Sequence, residues 1–271
     1  MFNQRCYLCN KKDVKPVYKI NNRMVYCCLN DDLFFSIDEK KEKFHYNYDY
    51  FKSSPYNQRQ IFNNAYFQEK LDKIMTLAQE KRPTFLDVGC GWGNFLQVIK
   101  NSHLPYLGID FSSRAVEICR EKKLNCQKAD IINLSKIKGQ QYSAITFFQV
   151  IEHIKNPLDY LKAAKKLLKK NGVLLLTTPN NHSPLRHLFG SNWSVYQTPS
   201  HYFFYSSKSL ERLLKAAGFS NFKIKIDRFR FFSLDYVLQR IFKKKLSVPQ
   251  IINFPIPTDP WGDLEAVVIK K

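Results

Sequence analysis

The fold of this chain is decided by the stretch Phe85-Leu86-Asp87-Val88-Gly89-Cys90-Gly91-Trp92-Gly93-Asn94-Phe95. Its pattern is that of a short apolar strand, a turn with glycine at every second position, and the start of a helix. Glycines at this spacing let the backbone approach a ligand closely, because no Cβ stands in the way. The turn is therefore predicted to lie under a bound ligand.

Two acidic residues narrow down the class of that ligand. Asp87 precedes Gly89 by two positions, so the spacing is D-x-G-x-G-x-G and differs from the dinucleotide pattern G-x-G-x-x-G. A carboxylate there would repel a pyrophosphate but favours a cationic amino group. Asp110 ends the next predicted strand, 17 residues after Gly93, where an acid can accept both hydroxyls of a ribose. Together they suit a nucleoside that carries an amino acid.

From residue 84 onward, short apolar runs alternate with helical patterns, and this alternation predicts an α/β doubly wound domain with a parallel sheet. Strands are predicted at residues 84–88, 106–109, 143–150 and 172–178, and helices at 94–100, 113–122 and 157–168. A helix at 209–217 and two more strand-like runs at 219–226 and 264–269 follow.

On these motifs, residues 84–271 resemble the class I S-adenosylmethionine-dependent methyltransferases. The resemblance implies a Rossmann-like sheet of seven strands whose last strand is antiparallel, with S-adenosylmethionine as the cofactor. It further implies Asp130 near the adenine amino group and Ile131 beside the ring. The predicted cofactor residues are Asp87, Gly89, Cys90, Gly91, Gly93, Asp110, Phe111, Asp130, Ile131 and Gln149.

Glu152 and His153 follow the fourth predicted strand, at the sheet edge where ligands bind. They are similar to the E-H segment of the branch that includes the ubiquinone O-methyltransferases. His153 is the first candidate for the base that accepts a proton from a hydroxyl acceptor, with Glu152 beside it. Positioning of the pocket and binding of a divalent ion are the alternatives.

Residues 179–207 form a predicted lid, which resembles the W…P-x-H…F-S segment that roofs the acceptor site in the same branch. His201 lies in this segment and is a second candidate base. The aromatic residues around it can exclude water from an acceptor. The alternative is that they form a small core under a long loop.

Residues 1–48 are predicted to form a zinc-ribbon-like module, followed by a helical connector at 49–83. Cys6 and Cys9 have the spacing of half a zinc site, and the second half is expected near Cys27 and Cys28. Counted from Cys28, the partner position is Asp31. Zinc bound by Cys6, Cys9, Cys28 and Asp31 is one interpretation, and a decayed site held by packing is the other. A cysteine module before a methyltransferase core is similar to bacterial small-molecule and sugar-modifying methyltransferases.

The composition gives 43 basic against 23 acidic residues, a formal charge of +20. Part of this charge lies in a basic aromatic insert at 228–260. Within it, residues 228–246 are predicted to contact an anionic membrane surface, which would suit a lipid-linked acceptor. Simple packing against the sheet and binding of RNA are the alternatives.

Hydrophobic residues make up 44% of the 271 residues, which excludes global disorder. No apolar run is long enough to cross a bilayer, and the seven cysteines suit a reducing compartment. We therefore expect a cytoplasmic protein or one that is peripheral at the inner face of the membrane. The oligomeric state is left open.

The sequence thus predicts a methyltransferase that uses S-adenosylmethionine and methylates a small-molecule or glycan acceptor, at oxygen. An RNA or protein methyltransferase, a sugar-nucleotide C-methyltransferase and a non-catalytic binding module are the alternatives.

Overall fold

The computed structural model describes residues 4–38, 60–227, 232–233, 255–256 and 262–271. Within these residues the strands are β1 (Val14–Ile20), β2 (Arg23–Cys28), β3 (Leu33–Asp38), β4 (Phe85–Val88), β5 (Tyr106–Asp110), β6 (Cys126–Lys128), β7 (Tyr142–Phe148), β8 (Leu168–Thr178), β9 (Phe203–Phe204), β10 (Phe222–Asp227), β11 (Phe232–Ser233), β12 (Pro255–Ile256) and β13 (Asp263–Ile269). The α-helices are α1 (Gln60–Leu77), α2 (Asn94–Asn101), α3 (Ser113–Glu121), α4 (Ile131–Leu134), α5 (Pro157–Leu167), α6 (Pro184–Phe189), α7 (Ser194–Gln197) and α8 (Ser207–Ala216).

The largest sheet has seven strands in the order β10-β13-β8-β7-β4-β5-β6. Strands β4 to β8 run parallel, whereas β13 pairs antiparallel with both β8 and β10. The prediction of a seven-stranded Rossmann-like sheet with an antiparallel last strand is confirmed. Because β4 and β7 are parallel neighbours, the segments that leave their carboxyl ends begin side by side.

Helices cover both faces of this sheet, which explains its nearly continuous apolar strands. On β8, Leu174 and Leu176 belong to the core beneath α5 and α8, while Val173 and Leu175 belong to the core beneath α1 and α2. Successive side chains of a strand point to opposite faces, so both sets are buried. The two cores together fix the sheet between its helical layers.

The N-terminal residues form a second sheet, with the strand order β1-β2-β3-β9. Its fourth strand comes from the predicted lid, where Phe204 pairs with Phe34. The N-terminal strands therefore share a sheet with the lid. Residues 1–3 and 39–48 of the predicted module and residues 49–59 of the connector lie outside the described residues.

The predicted basic insert lies outside the described residues except for β11 and β12, which pair with each other. Of the predicted membrane contact at 228–246, the structure describes only residues 232–233. Among the residues that the structure does describe, no helix is both long and apolar enough to cross a bilayer.

A buried lysine joins α1 to the antiparallel side of the sheet. The Nζ atom of Lys70 is 2.8 Å from Asp227 Oδ1 and 2.6 Å from Glu265 Oε2, and all three side chains are buried. The Tyr66 hydroxyl donates to Asp227 Oδ2 over 2.9 Å. Burial by itself lowers the pKa of Lys70, but Tyr66 and the two carboxylates outweigh it and raise that pKa. Lys70 is therefore charged and compensates two buried acids.

We predict that Lys70→Met lowers the free energy of unfolding by about 3–5 kcal/mol, because it leaves Asp227 and Glu265 buried without this cation. The matched control is Lys215→Met, which removes an exposed ion pair with Glu211 and should cost at most about 1 kcal/mol. Denaturant unfolding of both variants checks this. Equal losses in the two variants would contradict a special role for Lys70.

Candidate active site

In the glycine loop between β4 and α2, the space beside the backbone of Gly91 is not filled by other atoms of the described residues. Gly91 has φ +49°, and a Cβ placed on it would meet only the Gly89 carbonyl oxygen, at 4.0 Å. Gly93 has φ +72°, and a Cβ there would lie 2.5 Å from Leu124 Cδ1. Gly93 is thus required by packing, whereas the backbone at Gly91 faces space that a ligand can fill.

Asp110, at the end of β5, holds this loop in place. Its Oδ2 accepts from the Gly91 N–H over 3.0 Å, and its Oδ1 accepts from the Ser112 N–H over 2.8 Å. Burial raises the pKa of Asp110 above its ordinary value, although these N–H groups oppose the shift. Each carboxylate oxygen has a second lone pair, so both can still accept a hydroxyl. This arrangement fits the predicted ribose contact.

Asp87 is buried in β4, and its Oδ1 accepts from the Thr146 hydroxyl over 2.7 Å. Burial raises the pKa of Asp87 to about 7, although the hydrogen bond from Thr146 opposes the shift. A nearby cation would favour the ionised form and lower that pKa. The side chain therefore fits a site for the cationic amino-acid part of S-adenosylmethionine.

The other predicted cofactor residues differ in their surroundings. Asp130 accepts from the Ile132 N–H over 2.8 Å and from the Tyr160 hydroxyl over 2.9 Å, so it caps α4 and fixes Tyr160. Ile131 is fully buried in the main core, while Phe111 is 60% exposed after β5. Of these, the side chain of Phe111 is the one most open to a ligand.

Gln149 and Cys90 turn their side chains toward other protein groups. The Gln149 amide donates to Asp263 Oδ2 over 2.9 Å, and its φ of 56° ends β7. The Cys90 thiol lies 3.3 Å from that of Cys126, and Cys119 completes a buried group of three thiols. If Cys90 contacts the cofactor as predicted, it would do so through its backbone.

The structure brings Glu152, His153 and His201 together. His153 ends a short 3-10 helix, Ile151–His153, and His201 comes from the lid, with the two ring centroids 4.5 Å apart. Potential ligand atoms of Glu152, His153 and His201 all lie within 4.8 Å of one another. This trio can act on a proton or hold a divalent cation.

The tautomers of both histidines follow from their hydrogen bonds. His153 Nδ1 is 3.1 Å from the Ser200 carbonyl oxygen, and His201 Nδ1 is 2.9 Å from that of Val195. A carbonyl only accepts, so each Nδ1 carries the proton and each Nε2 keeps a lone pair. Burial lowers the pKa of His153 to about 4 and also lowers that of His201. Both rings are neutral at pH 7.

Hydrogen bonds hold both the side chain and the backbone of Glu152. Its Oε2 accepts from the Thr178 hydroxyl over 3.0 Å, and its backbone carbonyl accepts from the Tyr202 N–H over 2.9 Å. Its Oε1 lies 4.0 Å from His153 Nε2. The carboxylate therefore belongs to the same site as the two rings.

Arg23 supports the lid and was missed by the sequence analysis. Its guanidinium donates to the carbonyl oxygens of Tyr196 over 2.6 Å and Pro199 over 3.2 Å. The Ser36 hydroxyl donates to the His201 carbonyl oxygen over 2.7 Å. The N-terminal sheet thus holds the lid backbone at His201 and in the five residues before it. No local pattern marks Arg23, because its partners lie far away in the sequence.

The fold and the glycine loop are those of the class I S-adenosylmethionine-dependent methyltransferases. A solved S-adenosylmethionine-dependent methyltransferase from Archaeoglobus fulgidus matches with a TM-score of 0.56 and 19% identity, over 82% of this chain and 97% of that one. The plantazolicin methyltransferase BpumL, solved in complex with SAH, matches with a TM-score of 0.53 and 20% identity, over 82% of this chain and 93% of that one. At these identities the likeness concerns the fold.

The sequence model of the methyltransferase-domain family matches residues 59–224, which is more than half of the chain. The chain belongs to this family, as predicted, and S-adenosylmethionine is the cofactor of its class. The curated proteins similar to this chain include two ubiquinone biosynthesis O-methyltransferases. That of Haemophilus ducreyi is 28% identical over 35% of this chain and 44% of its own length. That of Nitrosospira multiformis is 27% identical over 38% of this chain and 46% of its own length. The chain therefore spans about half the length of these relatives.

We predict that Asp110→Ala weakens the binding of S-adenosylmethionine at least about ten-fold, because a charge-assisted acceptor of the loop and of the ribose is lost. Glu117→Ala is the matched control, since Glu117 is an exposed acid on α3 that pairs with Arg114. Titration calorimetry on both variants checks this. Unchanged affinity in folded Asp110→Ala would contradict the assignment.

Proposed function

We propose that this chain transfers a methyl group from S-adenosylmethionine to a hydroxyl of a small-molecule acceptor, with His153 as the group that receives the hydroxyl proton. The observation that carries the proposal is the pair of neutral, oriented imidazoles, one of which lies on the turn that follows Val150, a residue packed on the glycine loop. Gly89 packs so closely on Val150 that an added Cβ would lie 2.6 Å from its Cγ2. Val150 immediately precedes the helical turn that carries Glu152 and His153.

The cofactor supplies an electrophilic methyl group on a sulfonium. When the acceptor oxygen attacks, the carbon–oxygen bond forms, the carbon–sulfur bond breaks, and the sulfur keeps the bonding pair. The hydroxyl proton must leave the oxygen, and His153 Nε2 offers a lone pair for it. Since Nδ1 already donates to Ser200, the ring keeps its orientation when Nε2 is protonated.

The low pKa of His153 determines both its protonation state and its strength as a base. A pKa of about 4 keeps Nε2 unprotonated throughout the neutral range, but it also makes the imidazole a weak base. Glu152, whose Oε1 is 4.0 Å from Nε2, can stabilise the imidazolium that forms. We therefore expect His153 to accept the proton late in the step, after the oxygen has begun to bond.

A second candidate mechanism uses a divalent cation on the same three residues. The two Nε2 lone pairs and the Glu152 carboxylate form a donor set that divalent metals accept, and each Nδ1–H is held by a carbonyl as in metal-bound histidines. A cation there would lower the pKa of the acceptor hydroxyl. The two mechanisms differ in their response to chelation.

The small-molecule acceptor is supported by the ubiquinone biosynthesis O-methyltransferases among the similar proteins. It is also supported by the buried setting of the two histidines, which suits a compact acceptor. The glycan acceptor that the resemblance to sugar-modifying methyltransferases suggests is tested below with monosaccharides.

The test is methyl transfer from labelled S-adenosylmethionine to a panel of phenols, catechols and monosaccharides. We predict that His153→Gln lowers kcat by about 10²–10⁴-fold and leaves the affinity for S-adenosylmethionine within about two-fold. His187→Gln, which changes an exposed histidine of the lid, is the control and should keep full activity.

Chelation separates the two mechanisms. Activity that survives EDTA favours His153 as the base, while activity lost to EDTA and restored by Mn²⁺, which binds both imidazole and carboxylate ligands, favours the cation. Wild-type activity in His153→Gln would contradict both.

A further inference from the structure

The N-terminal cysteines lie in two turns that have the same backbone geometry. In the first turn, the Asn10 N–H donates to the Cys6 carbonyl oxygen over 3.0 Å, and Asn10 has φ 57°. In the second turn, the Asp32 N–H donates to the Cys28 carbonyl oxygen over 2.9 Å, and Asp32 has φ 54°. Each turn thus starts at a cysteine and ends four residues later in the left-handed region.

Backbone N–H groups also point at the first sulfur of each turn. The Leu8 N–H donates to Cys6 Sγ over 3.4 Å, and the Asp31 N–H donates to Cys28 Sγ over 3.4 Å. Such bonds stabilise a sulfur that carries negative charge. In both turns the side chain three residues after the first cysteine faces the shared centre, and that residue is Cys9 in one turn and Asp31 in the other. Asp31 therefore occupies the place of a fourth cysteine.

The four side chains meet at one point. Asp31 Oδ2 is 3.0 Å from Cys6 Sγ and 3.7 Å from Cys28 Sγ, and the sulfurs of Cys9 and Cys28 are 3.8 Å apart. All four candidate ligand atoms lie within 4.8 Å of one another. Three sulfurs and one oxygen at this spacing can surround a single tetrahedral ion.

We propose that Cys6, Cys9, Cys28 and Asp31 bind one structural zinc ion, with Asp31 contributing Oδ2. This site is separate from the methyltransferase function proposed above and goes beyond it. Zinc fits the donor set because it prefers sulfur ligands in tetrahedral sites and accepts a carboxylate oxygen. A closed set of four protein ligands is typical of a structural ion and leaves no position for a substrate.

Arg212 contacts the Asp31 carboxylate without being a candidate zinc ligand itself. Its guanidinium contacts Asp31 Oδ1, the oxygen that faces away from the sulfurs, and the Asn30 amide donates to the same atom. Three thiolates and a carboxylate outweigh the charge of one Zn²⁺, so a cation beside Asp31 offsets the excess. Such outer contacts orient a ligand. Because Arg212 lies on α8, the zinc site joins the N-terminal turns to a helix of the methyltransferase domain.

The test measures zinc per chain by mass spectrometry after purification under reducing conditions with added Zn²⁺. We expect about one zinc ion in the wild type and at least a five-fold loss in Cys9→Ser and in Asp31→Ala. Replacement by Co²⁺ should give the visible absorption of thiolate–cobalt bonds. Asp31→Cys should retain zinc, which keeps the test decisive if the other variants fold poorly.

Two control variants check where the metal binds. Cys27→Ala changes the neighbouring buried cysteine, which packs in a different cluster, and should leave the zinc content unchanged. Cys126→Ala tests the second group of thiols near the glycine loop and should also keep zinc. Absence of zinc from wild type, or its loss in Cys126→Ala with retention in Cys9→Ser, would overturn the proposal.

Discussion

The hydrogen bond from the Gly91 N–H to Asp110 Oδ2 is the contact on which the cofactor side of this molecule depends. It joins the glycine loop after β4 to the end of β5, two parallel neighbours whose carboxyl ends lie at the same edge. The loop can follow this path because glycine readily adopts the positive φ found at Gly91. The loop backbone is therefore held in place between two buried acids, Asp87 and Asp110. Negative charge on these carboxylates suits a cationic nucleoside.

The proposed acceptor site depends on contacts between distant parts of the chain. The histidine pair takes one ring from the end of β7 and the other from the lid, and the lid is held by the N-terminal sheet through Arg23 and the pairing of β3 with β9. If zinc fastens the N-terminal turns to α8, it also stabilises that sheet. The cysteine-containing segment then serves as a support for the catalytic site.

Much of the sheet could be predicted because its strands are buried on both faces and appear as apolar runs. The strand predicted at 172–178 falls within β8, and α1 lies within the helical connector predicted at 49–83. Strand β6 was missed, since it has three residues and two of them are exposed. The predicted strand at 143–150 ran too far, because Gln149 adopts a left-handed conformation and starts a turn.

Interactions that join distant segments could not be predicted in the same way. The loop acids were found because they lie at fixed offsets from the glycines, whereas Arg23, Lys70 and the lid strand β9 find partners more than a hundred residues away. The sequence left a zinc site that includes Asp31 and a decayed site as alternatives. The matching geometry of the two turns is what singles out Asp31.

The most direct measurement of the central claim is calorimetry of S-adenosylmethionine binding at pH 7 in two buffers that differ in ionisation enthalpy. With a pKa of about 7, Asp87 is partly protonated in the free protein, and a bound cation lowers that pKa. Binding should therefore release a fraction of a proton, and Asp87→Asn should abolish the release. Failure of the folded protein to bind S-adenosylmethionine, or binding without proton release, would contradict the account.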